Sequence, residues 1–279
     1  MQLKETHMKN IPYLGAGLGF RTELKPYIFL HRNEIDFLEI TADHYLDAPA
    51  EKMQELALLK NHFTLIPHAL NLSLGSASGL DPIYLEKLAK LIAYLNPPYW
   101  SEHICYSNAH GLELGHLAPL PRTDAMLDVL ARNIEEAQKR IPLPLVLENI
   151  TYHVNLPGHQ YSEPVFINKL LEATDCGLLL DITNLFVNSL NHNFSWMDYL
   201  DDLDMKKIIQ MHFVGIEKHG TTWIDNHGTN TAPELFYVMQ EVINRSQVKG
   251  IILERDENFP EFEILLQEVA YARQLLNQK

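Results

Sequence analysis

Six apolar runs in this chain end on residues able to do chemistry. PHALNLS carries His68, SEHICYS carries Glu102 and His103, and LENI carries Glu148 and Asn149. LLLDITN carries Asp181 and Asn184, MHFVG carries His212, and LERD carries Glu254 and Arg255 with Asp256 beside them. The loop after MHFVG adds Asp225 and His227, two apart in IDNHG. Imidazole, carboxylate and amide donors without thiolate suit first-row ions such as Fe, Mn, Co or Zn. The candidate ligands are His68, His103, Glu148, Asp181, Asn184, His212, Asp225, His227 and Glu254. One ion with open positions needs only three or four. The surplus predicts two or three ions, with a carboxylate such as Glu148 between them. Several carboxylates in one cavity would hold one another protonated unless something positive sat among them. Arg255 is the one plausible protein counter-charge, so cations are the natural answer.

Each residue also has an ordinary structural role open to it. A lone histidine at a strand end is more often a hydrogen-bonded core residue than a ligand. An acidic residue there can cap the helix that follows. For Asp256 the turn or cap role weighs as much as a functional one; for Asp181 the cap is disfavoured, because the next helix is expected to begin near Ser195. Six successive strands all ending in His, Glu or Asp outweigh these separate explanations.

The elements that must position these groups alternate along the chain. Strand candidates begin at Leu14, Ile35, Phe63, Tyr99, Leu143, Gly177, Ile208 and Gly250. Between them lie helical patterns such as TDAMLDVLARNIEEAQKRI, where Met126, Leu130, Ile134, Ala137 and Ile141 fall on one face and Thr123 can cap. Eight βα units predict a (β/α)8 TIM barrel of the xylose-isomerase-like kind, with residues 1–279 as one domain and the metal site at the C-terminal ends of the strands. A doubly wound sheet would be expected to carry a phosphate fingerprint, and GAGLGF lacks its third glycine.

Composition removes other classes. The formal charge of −14 argues against a nucleic-acid binder and against anionic membrane surfaces. Two cysteines, Cys105 and Cys176, form no C-x-x-C pair, so neither a disulfide framework nor a thiolate zinc site is indicated. The start, MQLKETHMKNIPYLGAG, has no apolar core of a signal peptide, and no later run is long enough to span a membrane. A reducing, cytoplasmic setting is expected.

The ordered series LGAGLGFR, IDFLEITADHYL, PHALNLSLGS, SEHICYS, HLAPLPRT, LENI, LLLDITNLFVNSLNHN, MHFVG, IDNHG and LERD resembles the multinuclear non-haem iron-dependent oxidative enzymes. That family, long carried as an uncharacterised one, includes the enzyme that forms oxazolone and thioamide groups from peptide cysteines in methanobactin. The resemblance covers about Leu14 to Asp256. It implies two or three iron ions, with Zn, Mn or Mg possible at some positions. It places His68, His103 and Glu148 at one ion, Asp181, His212 and Glu254 at a second, and Asn184, Asp225 and His227 at a third. It further implies an O2-dependent oxidase acting on a cysteine of a ribosomally made precursor peptide, helped by a small leader-peptide-binding partner protein. Asn149, Arg255, His44 and His192 are candidate second-layer or substrate contacts. Thr41, His44, Gly215 and Ile216 depart from or flank the common pattern, around the barrel mouth. The loop from Ser107 to Thr123, with His110 and His116, is long enough for a lid or peptide-binding edge. The other classes open to the residues alone are a divalent-metal sugar isomerase, a phosphoester hydrolase and a non-catalytic metal-binding protein. A scarcity of lysine at the strand ends counts against the first two.

Overall fold

Successive side chains of a strand point to opposite faces, so parity decides which residues meet a barrel interior. In the computed structural model, which describes residues 8–109 and 112–278, eight parallel strands close into a barrel. They are β1 (Gly15–Gly19), β2 (Leu38–Thr41), β3 (Leu65–His68), β4 (Trp100–His103), β5 (Leu145–Glu148), β6 (Gly177–Asp181), β7 (Ile208–Phe213) and β8 (Gly250–Leu253). Neighbours in space are neighbours in chain order, and β1 closes the ring on β8 with Gly15 opposite Gly250. The expected (β/α)8 barrel is the observed fold.

The run GLLLD shows parity at work. Leu178 and Leu180 pack in the shell between barrel and helices, whereas Leu179 joins Phe37, Ile66, Tyr99, Val146, Ile209 and Ile252 in a separate cluster inside the barrel. Asp181, two residues beyond Leu179, faces the same interior. An identical offset relates Ile66 to His68, Val146 to Glu148 and Ile252 to Glu254. An apolar floor therefore lies one layer beneath the polar ends, and each of its fully buried side chains contributes roughly 1.5–3 kcal/mol. Strand β7 gains one residue against β6, with Ile208 opposite Leu178 and Gln210 opposite Leu179. That extra residue resets parity, so that Ile209 and His212 both face inward although three apart. Glycine is required at Gly17, where a Cβ would stand 2.3 Å from the Phe37 carbonyl oxygen.

Around the barrel run α1 (Lys25–Leu30), α2 (Ala50–His62), α3 (Pro82–Leu95), α4 (Asp124–Arg140), α5 (Glu163–Thr174), α6 (Ile182–His192), α7 (Trp196–Asp202), α8 (Pro233–Arg245) and α9 (Phe262–Asn277). In α4 the predicted face is buried and Thr123 Oγ1 accepts the Met126 amide. The helix after β6 departs from expectation. It begins at Ile182 rather than near Ser195, which instead caps the short α7. ITNLFVNSLNH is rich in Asn, Ser and Thr, which compete with helical backbone bonds, and it hides its helical nature from a propensity reading. Its buried face and the Asp181 cap supply what propensity does not.

The segment after β4 is a hairpin of Tyr106–Ala109 and Leu112–Ala118, and a second hairpin, Glu217–His219 with Thr222–Ile224, follows β7. His110 lies outside the described residues. Among the described residues no helix is long and apolar enough to cross a membrane.

Candidate metal centre

Strands β3 to β8 each deliver one side chain to the barrel mouth: His68, His103, Glu148, Asp181, His212 and Glu254. Strand pairing sets them side by side, with His103 opposite Glu148 and Asp181 opposite His212. Glu148 is the hub. Its Oε2 lies 3.2 Å from His68 Nε2 and 3.4 Å from His103 Nε2, and its Oε1 lies 3.4 Å from His212 Nδ1. His212 Nδ1 is also 3.1 Å from Glu254 Oε2. Two ligand sets follow from the geometry, His68 with His103 and Glu148, and Glu148 with Asp181, His212 and Glu254.

These atoms are close without being bonded. Glu148 Oε2 and His212 Nδ1 are buried and have no hydrogen-bond partner. Leaving a buried polar atom unpaired costs about 1–3 kcal/mol, more for a charged one. A carboxylate oxygen and an imidazole nitrogen left unpaired around one space fit a metal ion. Thiolate plays no part, since Cys105 and Cys176 are buried apart from these ligand sets.

The far nitrogens of His212 and His68 are held. His212 Nε2 lies 2.9 and 3.0 Å from the two oxygens of Glu39, and a carboxylate only accepts, so Nε2 carries a proton and Nδ1 is the nitrogen left facing the centre. His68 Nδ1 meets Ser101 Oγ at 2.8 Å. His103 Nδ1 stands 3.4 Å from Glu102 Oε1, and Glu102 is itself fixed by the amides of Leu72 and His103. Glu39 is in turn bound by Gln210 Nε2 at 2.6 Å, and Gln210 accepts the Tyr99 hydroxyl. This chain of bonds crosses the barrel interior just above its apolar floor.

The charges adjust to one another in the metal-free site. Burial works to lower the His212 pKa, and Glu39, Glu254 and Glu148 outweigh it, holding the group well above the ordinary histidine range. His103 is pushed up to about 9, burial being outweighed by Glu148, Glu102 and Glu254. Glu148 and Glu254 are lowered despite burial, because histidines surround them. Asp181 goes the other way. Burial, then Asp225 and Glu148, raise it well above the carboxylate range. Protons on imidazoles thus hold the place of a cation that the carboxylates require.

Asp181 has a second task. Its Oδ1 accepts the Asn184 amide at 2.7 Å and so caps α6, contrary to the sequence expectation. Asn149 ties the same strand end, donating to the Asp181 carbonyl and accepting its amide. Asn184 donates to the Asn149 carbonyl and accepts from Thr151. Asp225 and His227 stand together, Oδ2 to Nε2 at 2.9 Å, with Asp225 Oδ1 buried and unpaired. His227 Nδ1 turns toward Asp256 at 3.1 Å and Glu254 at 3.9 Å, making a third cluster that includes Asp256. His68, His103, Glu148, Asn184, Asp225, His227, Glu254 and Asp256 all line one open chamber of about 720 Å³.

Three expected contacts sit elsewhere. Arg255 is turned away, donating to the carbonyls of Glu257 and Asn258 and to Asn230, and is no counter-charge to the cluster. Arg21, unremarked in the sequence, takes that place with a contact to Asp256 and an approach of 3.9 Å to Glu254. His192 stacks on Tyr152 and bonds its carbonyl, a structural role outside the chamber. His44 lines a neighbouring cavity. His116 of the first hairpin does line the chamber. Glu39 was visible in IDFLEIT as a carboxylate inside an apolar strand, the same signal that pointed to Asp181.

A model of the RiPP precursor modification enzymes MbnB/TglH/ChrH matches residues 15–277. The chain belongs to this family. The MbnB/TglH/ChrH enzymes modify precursors of ribosomally synthesised and post-translationally modified peptides. Among relatives, the UPF0276 protein of Acaryochloris marina is 31% identical over 258 residues, covering 92% of this chain and 93% of that protein. A UPF0276 protein of Streptomyces avermitilis is 33% identical over 277 residues, 96% of this chain but 56% of that longer protein. Solved structures share the fold at low identity. A D-tagatose 3-epimerase-like protein gives a TM-score of 0.59 at 14% identity, covering 95% of this chain and 98% of that one. A putative xylose isomerase from Rhodospirillum rubrum gives 0.58 at 11%, covering 95% and 99%. The xylose-isomerase-like TIM barrel expected for this MbnB/TglH/ChrH family member is thereby established.

Proposed function

We propose that this protein is a multinuclear non-haem iron-dependent oxidase that uses dioxygen to modify a cysteine in a ribosomally made peptide. The observation that carries the reading is the set of unbonded, converging imidazole and carboxylate atoms around Glu148, in a member of a peptide-modifying family. His68 and His103 with Glu148 would hold one iron, and Asp181, His212 and Glu254 a second, with Glu148 common to both groups. Asn184, Asp225 and His227 would serve a third, with Asp256 on the far nitrogen of His227. Iron held there would supply redox chemistry with dioxygen and Lewis acidity toward a thiolate.

The protein's own contribution is placement. Glu39 and Ser101 fix the imidazole rings of His212 and His68 so that one nitrogen of each faces the centre, and Glu102 lies beside the ring of His103. The apolar floor closes the barrel from below, so substrate enters from the mouth. The chamber volume, about 720 Å³, admits a peptide segment and not only a single amino acid. Asp225, with one oxygen unpaired beside the open chamber, can accept a proton from an arriving thiol. A small leader-binding partner protein would present the peptide, and the chain would act in the cytoplasm, where thiols stay reduced.

Metal analysis with Mössbauer spectroscopy on protein grown in iron-57 medium and purified without oxygen tests this reading. Two or three irons per chain, including a coupled ferrous and ferric pair, are expected. Zinc or magnesium alone after iron supplementation would turn the assignment toward an isomerase or hydrolase. The likeness to sugar epimerases extends to the fold alone, and no lysine lines the chamber among the described residues.

A further inference from the structure

Strands β1 and β2 send no candidate ligand to the metal chamber. The segments that follow them build something else, a cavity of about 490 Å³ lined by Arg21, Thr22, Thr41, His44 and Lys52. It meets the metal chamber at Leu70 and Asp256, which line both. The two spaces have opposite character. No lysine or arginine lines the metal chamber among the described residues, whereas the side cavity holds two in a chain whose net charge is −14.

Each cation there shares its carboxylate with a second group. Lys25 and Lys52 share the single carboxylate of Glu55, at 3.2 and 2.6 Å. Arg21 spends Nη1 on the Phe20 carbonyl and Nη2 on Asp256, a carboxylate that His227 also claims. Glu23 is the one other acidic group in the lining. His44 lies among these charges: burial first, and then Arg21 and Lys52, push its pKa down, against the opposing pull of Asp43 and Asp256. Arg21 Nη2 also stands 3.9 Å from Glu254 Oε1, so an anion held by this guanidinium lies within one residue's reach of the candidate irons.

Resting on the oxidase reading of the neighbouring chamber, we propose that this side cavity is a carboxylate subsite: Arg21, with Lys52 and the Thr22 and Thr41 hydroxyls, holds a carboxylate of the substrate peptide close to the residue being modified. That carboxylate is either the peptide's C-terminus or the side chain of an adjacent acidic residue. Arg21 is a positioning residue in this scheme, fixing where the peptide stops.

Calorimetric titration of the anaerobic, iron-loaded protein tests the subsite with three peptides. These are N-acetyl-glycyl-alanyl-cysteine as the free acid, the same peptide as its C-terminal amide, and N-acetyl-glycyl-cysteinyl-glutamic acid α-amide, which keeps a carboxylate on its side chain alone. One of the two carboxylate peptides should bind about tenfold or more tightly than the amide, the expected worth of a charge-assisted contact. Whichever it is identifies the source of the carboxylate. Arg21→Gln should bring acid and amide within about twofold, and Arg21→Lys should keep part of the preference. Equal binding of all three peptides by the wild type, or no binding, overturns the subsite, as does a full preference retained in Arg21→Gln. Should Arg21→Gln lose iron or fold, Lys52→Gln decides: a narrowed preference supports the proposal and an unchanged one overturns it. Serine analogues separate this inference from the oxidase reading. An Arg21-dependent preference that persists with serine upholds the subsite, while absent oxygen uptake with every cysteine peptide would sink the oxidase reading alone.

Discussion

Glu39 reaches across the barrel mouth from β2 to receive His212 Nε2 of β7 at 2.9 Å, and by doing so decides which nitrogen of His212 faces the centre. A glutamine in its place could turn either an oxygen or an NH2 group toward the ring, and would weaken the charge-assisted bond. Glu39→Gln is expected to lower metal affinity at the Glu148, Asp181, His212 and Glu254 group by about 10–100-fold, the usual cost of removing such a support. Competition against a chromophoric chelator measures it, with far-UV circular dichroism checking that the barrel persists. Unchanged affinity would show that the imidazole is oriented by packing alone.

Among the described residues Glu148 is the one carboxylate within 3.5 Å of three candidate histidines. Its replacement by alanine removes a ligand from two sets at once. Metal content in Glu148→Ala should drop by more than one ion per chain, with catalytic turnover lost. The barrel should still form, because the apolar floor beneath Glu148 is untouched. Elemental analysis of the purified variant decides: retention of the wild-type metal content would exclude a bridging position.

Much of this arrangement was legible in the sequence because strands obey a strict period of two. Once GLLLD is read as a strand buried on both faces, Leu179 and Asp181 must share a face, and so must Val146 and Glu148. The same arithmetic finds His68 and Glu254. It fails at His212, where an added residue in β7 shifts parity, and only the residue type betrayed the site. Arg21 was missed because it follows a glycine-rich strand and its partners, Asp256 and Glu254, lie more than 230 positions away in the chain. Asp181 is half legible: its residue type at a strand end points to the cluster it joins, but a helix made of ITNLFVNSLNH gives no local signal that the same carboxylate is a cap.

Metal uptake should be strongly pH-dependent, in a direction fixed by the imidazoles. His103 titrates near 9 in the metal-free site and His212 well above the ordinary histidine range, so both carry protons at neutral pH. A metal ion must displace those protons. Affinity is therefore expected to rise with pH through the neutral range, and for His103 to level off above about 9. Calorimetric titration in buffers of differing ionisation enthalpy should register about one to two protons released per ion bound near pH 7. Binding without proton release would mean that the imidazoles are already neutral.

The two tasks of Asp181 can be pulled apart by choice of substitution. Asparagine caps a helix about as well as aspartate, whereas alanine leaves the Asn184 amide unpaired and costs about 1 kcal/mol. The folded-state pKa of Asp181 is raised above its unfolded value, so the ionised carboxylate destabilises the metal-free fold at neutral pH through burial and repulsion from Asp225 and Glu148. Asp181→Asn removes that repulsion and keeps the cap. The metal-free variant should therefore melt at or above the wild-type temperature, yet gain less on metal addition because a ligand of the second set is gone. Asp181→Ala should melt lower than Asp181→Asn in the metal-free form and bind metal as weakly. Paired thermal melts with and without metal separate the outcomes. If Asp181→Asn gained as much from metal as the wild type, Asp181 would be a cap and nothing more.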